Sequence, residues 1–455
     1  MSEIRQPEAD YFFEVSYEVA NKIGGIYQVL SSKARSMLDY YGDNYYTIGY
    51  FDPEKSKVDF QPQKPGKLKK VFEELADEGI NCYYGKWDVP GKPNTILVDP
   101  ADFSHNMDRI KGELWEEYGI DSINAGNDFD GPVLWSYSVG KLLNKLNNLL
   151  NGKKVFQFHE WLSGTALLKL RSEGIDSGLV FTTHATILGR TMSTSPDVDL
   201  LKMIKKGLDS GKSSEDYEED LASKYGVKAK HMTEKLSSMN SNVFTTVSDT
   251  TAREAKFILG REPDILTYNG MDIKSLPSME EISYQHKKYK DRIKEFLAAY
   301  FRPYYGVNLE EDPRVLFISG RYEFGNKGID VFIEALGELN QKLKEEKYDR
   351  DIFVFFFIPS DTRGGKMEVL ENISIYNELE DYVEDITPDL KRKMISLFTQ
   401  GKDIEEELPK FLNENYGKSI KSFSKDFQSK KGKKPPTCAF ELNYENDDIQ
   451  EALRS

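Results

Sequence analysis

Short apolar runs of β type alternate with amphipathic helical patterns through the first half of the chain. The β-type runs have the length and composition of buried strands and cover 11–15, 45–50, 95–98, 155–159, 179–183 and 243–247. Helical patterns lie between them at 26–38, 132–150 and 251–259. In the last of these, Thr251 and Glu254 have the spacing of a capping box. The alternation predicts βαβ units and a doubly wound, mostly parallel sheet in a domain at 1–262.

A second α/β segment follows residue 262. Its strand and helix patterns lie at 265–268, 315–319, 328–345 and 352–359. Two polar helical stretches, at about 279–302 and 371–428, read as insertions. Only two clear strands follow residue 313, whereas a doubly wound sheet needs about four to six. We therefore expect 263–455 to be the first part of a second domain, incomplete in this chain.

Composition excludes several classes of protein. The 455 residues carry 61 basic and 76 acidic side chains, and the net charge of −15 disfavours a nucleic-acid or anionic-membrane partner. The sequence contains neither an 18-residue apolar run nor the pattern of a signal peptide, which predicts a cytoplasmic protein. Cys82 and Cys438 lie far apart and have no neighbours at metal-ligand spacing, so we expect no structural metal.

A glycine-rich turn follows the first predicted strand. Lys22, Gly24 and Gly25 lie just before the helical pattern at 26–38. Glycines allow backbone N–H groups to approach a phosphate, and a helix N-terminus favours negative charge. Alone the pattern is weak, and a plain strand-to-helix turn is the alternative.

Two histidines end neighbouring predicted strands. His159 and Glu160 begin like a zinc-protease helix, but position 163 is Ser163 and not the second histidine, so the metal interpretation fails. His184 and Arg190 follow the strand at 179–183, at the edge where open α/β sheets bind ligands. Histidines whose hydrogen bonds are satisfied within the fold are the alternative at both positions.

A basic pair lies between a strand and a helix of the second segment. Arg321 can bind two phosphate oxygens through its planar fork, and Lys327 supplies a point charge. The pair would suit a departing diphosphate without a metal ion. A surface turn with an ion pair is the alternative for an isolated pattern of this kind.

These motifs, with Phe13, Glu14 and the run 18–30, resemble the animal and fungal glycogen synthases, and the similarity extends from about residue 11 to 455. The resemblance implies a GT-B type α/β fold, in which two Rossmann-like domains face each other across a cleft. It also implies a retaining glucosyltransferase that transfers glucose from UDP-glucose to the non-reducing end of α-1,4-glucan. No metal or cofactor is expected, and the sequence alone leaves ADP-glucose open as donor.

The resemblance also implies roles for individual residues. The expected catalytic residues are His184, Arg190, Arg321 and Lys327. The expected donor-binding residues are these four together with Lys22, Gly24, Gly25, His159, Glu160, Asn269 and Lys290. For Lys290, a solvated helix face is an equally good interpretation.

The sequence departs from the family pattern at several points. The donor loop, with its glutamate, proline and tryptophan, has no counterpart in these 455 residues, so we expect the chain alone to be inactive. Glu280 and Ser283 occupy positions where the family's sugar-phosphate activator site has histidine and glutamine, and Tyr268 replaces a proline. Classical activation by glucose 6-phosphate is therefore not expected.

Two hypotheses follow for the whole protein. In the first, the chain is one part of a split glycogen synthase, and a second polypeptide completes the C-terminal domain. In the second, it is a non-catalytic glucan- or nucleotide-sugar-binding protein derived from a synthase. The helical stretch at 371–428 matches the family's region of oligomer contacts, which predicts a homo-oligomer, and a solvated helical pair is an equally good interpretation.

Overall fold

Two compact units make up the chain, Met1–Leu276 and Pro277–Ser455. The computed structural model describes residues 7–195, 198–217, 220–273, 276–305 and 313–454. A large sheet dominates the first unit, whereas the second combines long helices with two small sheets.

One sheet organises the first unit. Its strands are β1 (Tyr11–Val15), β2 (Tyr45–Tyr50), β3 (Phe60–Pro62), β4 (Asn81–Trp87), β5 (Asn94–Asp99), β6 (Lys154–His159), β7 (Gly178–Thr183), β8 (Val243–Thr246) and β9 (Ile265–Leu266). Among the described residues they form a nine-stranded sheet in the order β3-β4-β5-β2-β1-β6-β7-β8-β9. The pairs β3–β4 and β4–β5 are antiparallel, and all others are parallel. The predicted doubly wound parallel sheet is confirmed.

Helices cover both faces of this sheet. They are α1 (Gly25–Tyr41), α2 (Ser56–Asp59), α3 (Lys69–Ala76), α4 (Met107–Tyr118), α5 (Asn127–Leu149), α6 (Glu160–Ser172), α7 (Ile187–Met192), α8 (Leu200–Asp209), α9 (Ser214–Tyr217), α10 (Leu221–Lys224), α11 (Lys228–Asn240) and α12 (Asp249–Ile258). Phe13, Phe156, Phe181 and Phe244, on four neighbouring strands, are fully buried. Burial on both faces explains why these strands read as continuous apolar runs.

The predicted capping box of α12 is wrong. The Ser248 hydroxyl accepts a hydrogen bond from the Thr251 backbone nitrogen at 3.1 Å, so Ser248 caps the helix. Glu254 instead accepts hydrogen bonds from Thr186. A tertiary contact therefore uses the carboxylate that the local pattern assigned to the cap.

The division between the units differs from the predicted boundary at 262. Strand β9 pairs in parallel with β8, with Thr245 opposite Ile265, so the predicted strand at 265–268 belongs to the first sheet. The units divide between Leu276 and Pro277. Main-chain pairing, which the sequence pattern did not reveal, keeps β9 with the first unit.

The second unit begins with α13 (Met279–Tyr305) and has a parallel pair, β10 (Arg314–Ser319) and β11 (Ile352–Phe357), with α14 (Ile329–Glu345) between them. The stretch at 371–428 forms two helices, α15 (Met367–Gln400) and α16 (Ile404–Phe427). An antiparallel ribbon of β12 (Thr362–Gly365) and β13 (Phe440–Leu442) was not predicted, nor was α17 (Asp448–Ala452). In the described ranges, no helix has the length and apolar content needed to cross a membrane.

Candidate functional site

The predicted histidines of the first unit meet at the carboxyl ends of two adjacent strands. His159 ends β6 and lies opposite Thr182 of β7, and His184 follows directly after β7. The Nδ1 atom of His159 is 2.9 Å from Nε2 of His184. The parallel register therefore brings together two residues that the sequence placed on separate motifs.

A buried carboxylate extends this pair into a chain of three groups. The Oε1 atom of Glu14, on the central strand β1, is 2.9 Å from Nε2 of His159. The Tyr45 hydroxyl donates to the other Glu14 oxygen at 2.5 Å, and the Lys33 ammonium forms an ion pair with Glu14. Glu14 is fully buried, and each of these three neighbours provides a donor to it.

The charges in this chain of groups are set by burial and by Lys33. Burial alone would raise the pKa of Glu14, but the Lys33 charge and the His159 contact outweigh it and lower the pKa to about 2. Burial lowers the pKa of His159 despite the nearby Glu14. Burial, helped by repulsion from His159 and Lys33, lowers the pKa of His184 to about 3. At neutral pH the carboxylate is charged and both imidazoles are neutral.

Glu160 fixes the backbone of the His184 loop. Its Oε1 atom accepts hydrogen bonds from the backbone nitrogens of His184 at 2.8 Å and Ala185 at 3.3 Å. Glu160 itself has φ 65°, a left-handed conformation that is costly for a residue with a side chain. Burial raises its pKa to about 7, although the Arg190 charge and the two N–H groups oppose the rise.

Two further glutamates, Glu234, which is fully buried, and Glu254, which is partly buried, hold the same loop. Glu234 accepts from the Thr183 hydroxyl at 2.5 Å and from the Ile187 nitrogen at 2.8 Å. Glu254 accepts from the nitrogen and the hydroxyl of Thr186, each at 2.7 Å. Burial and the neighbouring Glu160 raise the pKa of Glu234 to about 8, and burial raises the pKa of Glu254. The loop is therefore anchored by three carboxyl groups.

Arg190 lies on α7, one turn beyond this anchored loop, and is exposed. Its charge acts to lower the pKa of both Glu160 and Glu254, against the larger effect of burial. The structure thus brings together His159, Glu160, His184 and Arg190, as the sequence predicted for one site.

The glycine turn contains an internal anion. The Oε2 atom of Glu18 accepts from the backbone nitrogens of Gly24 at 3.1 Å and Tyr27 at 2.8 Å, at the start of α1. Lys22 is exposed, and its ammonium lies 5.9 Å from the centre of the Tyr27 ring. Gly25 opens the helix. The negative charge expected at this helix N-terminus is supplied, in part, by the protein itself.

Three of the remaining predicted residues belong to the second unit and one to the end of the first. In the second unit, Arg321 follows β10, forms an ion pair with Glu323 at 2.9 Å, and is 55% exposed. Lys327 is exposed and precedes Gly328. Gly328 has a left-handed φ of 67° and is the N-cap of α14. Lys290 lies on α13, and Asn269 is exposed after β9 in the first unit. The site roles of these residues stay predictions.

Sequence reasoning gave no role in the site to Glu14, Glu18, Glu234 or Glu254. Only Glu14 left a signal that could have been used, since it is the one charged residue in the apolar run of β1. A carboxylate on a central strand of a parallel sheet must be paired, which points to a site.

The described residues contain no cluster of three or more His, Cys, Asp or Glu side chains that could hold a metal ion. That the reaction needs no metal stays a prediction.

Comparisons with known proteins give a consistent result. A family model described as glycogen synthase matches residues 14–455. The chain is 32% identical over 392 residues to liver glycogen [starch] synthase of Mus musculus, covering 86% of this chain and 54% of that protein. It is 32% identical over 415 residues to glycogen [starch] synthase isoform 1 of Saccharomyces cerevisiae, covering 88% and 57%. The chain thus spans about half the length of the curated relatives it matches.

Among solved structures, the catalytic domain of starch synthase IV from Arabidopsis thaliana is similar over 81% of this chain and 76% of that one. The sequence identity is 13% and the TM-score is 0.42.

Proposed function

Because this chain belongs to the glycogen synthase family, we propose that it acts in transfer of glucose from a nucleotide-sugar donor to the non-reducing end of an α-1,4-glucan, with retention of configuration. The family expected from the signature residues is confirmed, and so is the α/β class of GT-B type.

One observation carries the proposal. Three residues that were expected to contact the donor, His159, Glu160 and His184, lie together at the carboxyl ends of β6 and β7, and the charge of a fourth, Arg190 on α7, acts on Glu160. This edge of an open α/β sheet is where ligands bind. Three carboxyl groups fix the backbone of the loop that carries His184, and His159 contacts its side chain, so the loop is held in place before any substrate arrives.

The proposed roles follow from the chemistry of each side chain. His184 aligns the glucose, and Arg190 supplies positive charge next to it. Lys22, Arg321 and Lys327 bind the diphosphate of the donor and stabilise the charge that develops on the leaving nucleotide. The leaving phosphate accepts the proton of the acceptor hydroxyl, so the protein contributes positioning and charge stabilisation.

The direct test is transfer of radiolabelled glucose from UDP-glucose into glycogen, with ADP-glucose as the competing donor. We expect no transfer by the chain alone, and transfer from UDP-glucose in the presence of a polypeptide carrying the family's donor loop that is lost in His184→Ala and Arg321→Ala. His105→Ala, a change at an exposed histidine in the turn before α4, is the matched control and should retain activity. Tight binding of glucan or nucleotide without transfer, in the presence of a polypeptide carrying the family's donor loop, would favour the binding-protein alternative.

The finer predictions about partners belong to the same proposal. A second polypeptide that completes the C-terminal domain would be recovered by pull-down from the native source, and glucose transfer would depend on it. Self-association through α15 and α16 would appear in light scattering as a mass above 52.2 kDa. A monomeric mass would contradict the predicted homo-oligomer.

A further inference from the structure

We propose that Glu14 and His159 are positioning residues that keep His184 in the tautomer with its proton on Nε2, so that Nδ1 accepts a hydrogen bond from a hydroxyl group of the sugar donor. The proposal rests on the proposed function, because it assigns a use to His184 in donor binding.

The first step concerns the proton between Glu14 and His159. Glu14 is charged, and an ionised carboxylate can only accept hydrogen bonds. Its Oε1 atom is 2.9 Å from Nε2 of His159. Lys33 and Tyr45 also donate to this carboxylate, so its charge and orientation are fixed from three sides. His159 therefore carries a proton on Nε2.

The second step concerns the two imidazoles. Burial keeps His159 neutral, and a neutral imidazole with its proton on Nε2 has a free electron pair on Nδ1. That atom lies 2.9 Å from Nε2 of His184, which must then donate. Burial also keeps His184 neutral. The proton of His184 is thus on Nε2, and its Nδ1 is an acceptor.

The third step concerns the ligand. In the described part of the chain, Nδ1 of His184 has no hydrogen-bond partner, and the side chain is partly exposed. A free electron pair attracts a hydroxyl donor and repels phosphate oxygens, which are acceptors only. This assigns His184 to a sugar hydroxyl and not to the diphosphate. Without the fixed tautomer, either ligand group would be accepted.

Two variants of His159 separate positioning from packing. In His159→Asn, the amide oxygen can lie near the former Nδ1 and still accept from His184. In His159→Gln, the longer side chain places its amide near Glu14 and lacks an acceptor beside His184. Urea unfolding measures the free energy of unfolding that each variant loses. If His159 had only a structural role, this loss of stability would account for all effects of the two variants.

The tautomer is read directly by NMR of the chain with ¹⁵N-labelled histidine, with His184→Gln to assign the signals. We expect the proton of His184 on Nε2 in the wild-type chain and in His159→Asn, and a mixture of tautomers in His159→Gln. A wild-type His184 with its proton on Nδ1, or with both nitrogens protonated, would overturn the proposal. This NMR measurement requires no enzyme activity. The result for the wild-type chain tests the proposal even if neither variant folds.

The consequence for the donor is tested in the enzyme with UDP-glucose analogues that each lack one sugar hydroxyl. We expect kcat/KM to fall roughly 10- to 100-fold in His159→Gln, by analogy with residues that orient a ligand-binding histidine, and to fall clearly less in His159→Asn. The analogue that lacks the hydroxyl bound by His184 should be a poor donor for the wild type. Its kcat/KM should not fall further in His159→Gln, because the interaction is already absent. Equal losses in the two variants, or additive losses for every analogue, would overturn the proposal. If the wild type transfers no glucose, the proposed function fails while the NMR result still decides the tautomer.

Discussion

The Oε1 atom of Glu160 lies 2.8 Å from the backbone nitrogen of His184, and this contact joins the ends of two adjacent strands. Glu160 also has a left-handed φ of 65°, a conformation that costs about 1–3 kcal/mol for a residue of this type. The cost is offset because the same oxygen also accepts from Ala185. Glu160 thus accepts from two successive backbone nitrogens of the His184 loop.

Replacing Glu160 should therefore affect the His184 loop. Glu160→Ala leaves two partly buried N–H groups without their acceptor, which we expect to lower the free energy of unfolding by about 1–3 kcal/mol per unpaired group. Glu160→Gln keeps an oxygen in place and should lose less than half as much. Urea unfolding measures both, and equal losses would show that the carboxyl oxygen does not hold the loop.

The buried glutamates predict a pH dependence of stability. Burial raises the pKa of Glu234 to about 8, well above its ordinary value of 4.5. The folded chain then binds a proton that the unfolded chain releases between these values, so stability falls as pH rises from about 5 to 8. The slope is at most about 1.4 kcal/mol per pH unit for one group.

Glu234→Gln removes this carboxyl group together with its effect on the neighbouring Glu160, whose raised pKa gives a pH dependence of the same sign. The amide can accept from the Ile187 nitrogen and donate to the Thr183 hydroxyl, so it mimics the protonated acid. We expect the wild type to lose stability relative to this variant as pH rises from 5 to 8, in urea titrations at matched pH. The buried histidines titrate with the opposite sign below about 6.5 in both proteins, so they cancel in the difference. A constant difference across this range would mean that Glu234 is ionised throughout.

The parts of the fold that the sequence predicted are those governed by local pattern. The parallel strands β1, β2, β5, β6, β7 and β8 read as apolar runs because both of their faces are buried. Strand β4, which pairs antiparallel with β3 and β5, was missed because its residues, among them Tyr83, Gly85 and Lys86, vary between exposed and buried. Strand β9 has two residues and is defined only by its pairing with β8.

The candidate site was predicted only as far as its motifs extend. His159 ends one strand and His184 follows the next, so the carboxyl edge of the sheet could be inferred from the sequence. Glu234 and Glu254 reach the His184 loop from helices more than 40 residues further along the chain, and no spacing rule connects them to it. Their role depends on how α11 and α12 pack, which is tertiary information.

The diphosphate role of the second unit predicts a difference between arginine and lysine. Arg321→Lys keeps the charge but loses the planar fork, so we expect kcat/KM for UDP-glucose to fall roughly 10²-fold, and a similar loss in Lys327→Ala. The matched control is Lys342→Ala, at an exposed lysine near the end of α14, which should stay within about twofold. Steady-state kinetics at varied concentrations of UDP-glucose measure kcat/KM for each variant. Full activity of Arg321→Lys would mean that Arg321 acts only as a charge.

The two glycines of the turn before α1 should respond differently to alanine. A Cβ atom at Gly24 would lie 2.6 Å from Oε1 of Glu18, so Gly24→Ala must displace the carboxylate that accepts from Tyr27. We expect a loss of about 1 kcal/mol in the free energy of unfolding, as for loss of a helix cap. A Cβ atom at Gly25 meets nothing within 4 Å, so Gly25→Ala should be neutral or stabilise the helix by up to about 1 kcal/mol.

A double-mutant cycle identifies the cause of the Gly24 effect. If displacement of Glu18 is responsible, Gly24→Ala should cost little in a chain that already carries Glu18→Ala, since the same cap has then been removed. Urea unfolding of the four proteins gives the coupling free energy. Additive losses would show that Gly24 is required by the backbone of the turn and not by Glu18, and the internal anion would then have no part in the stability of α1.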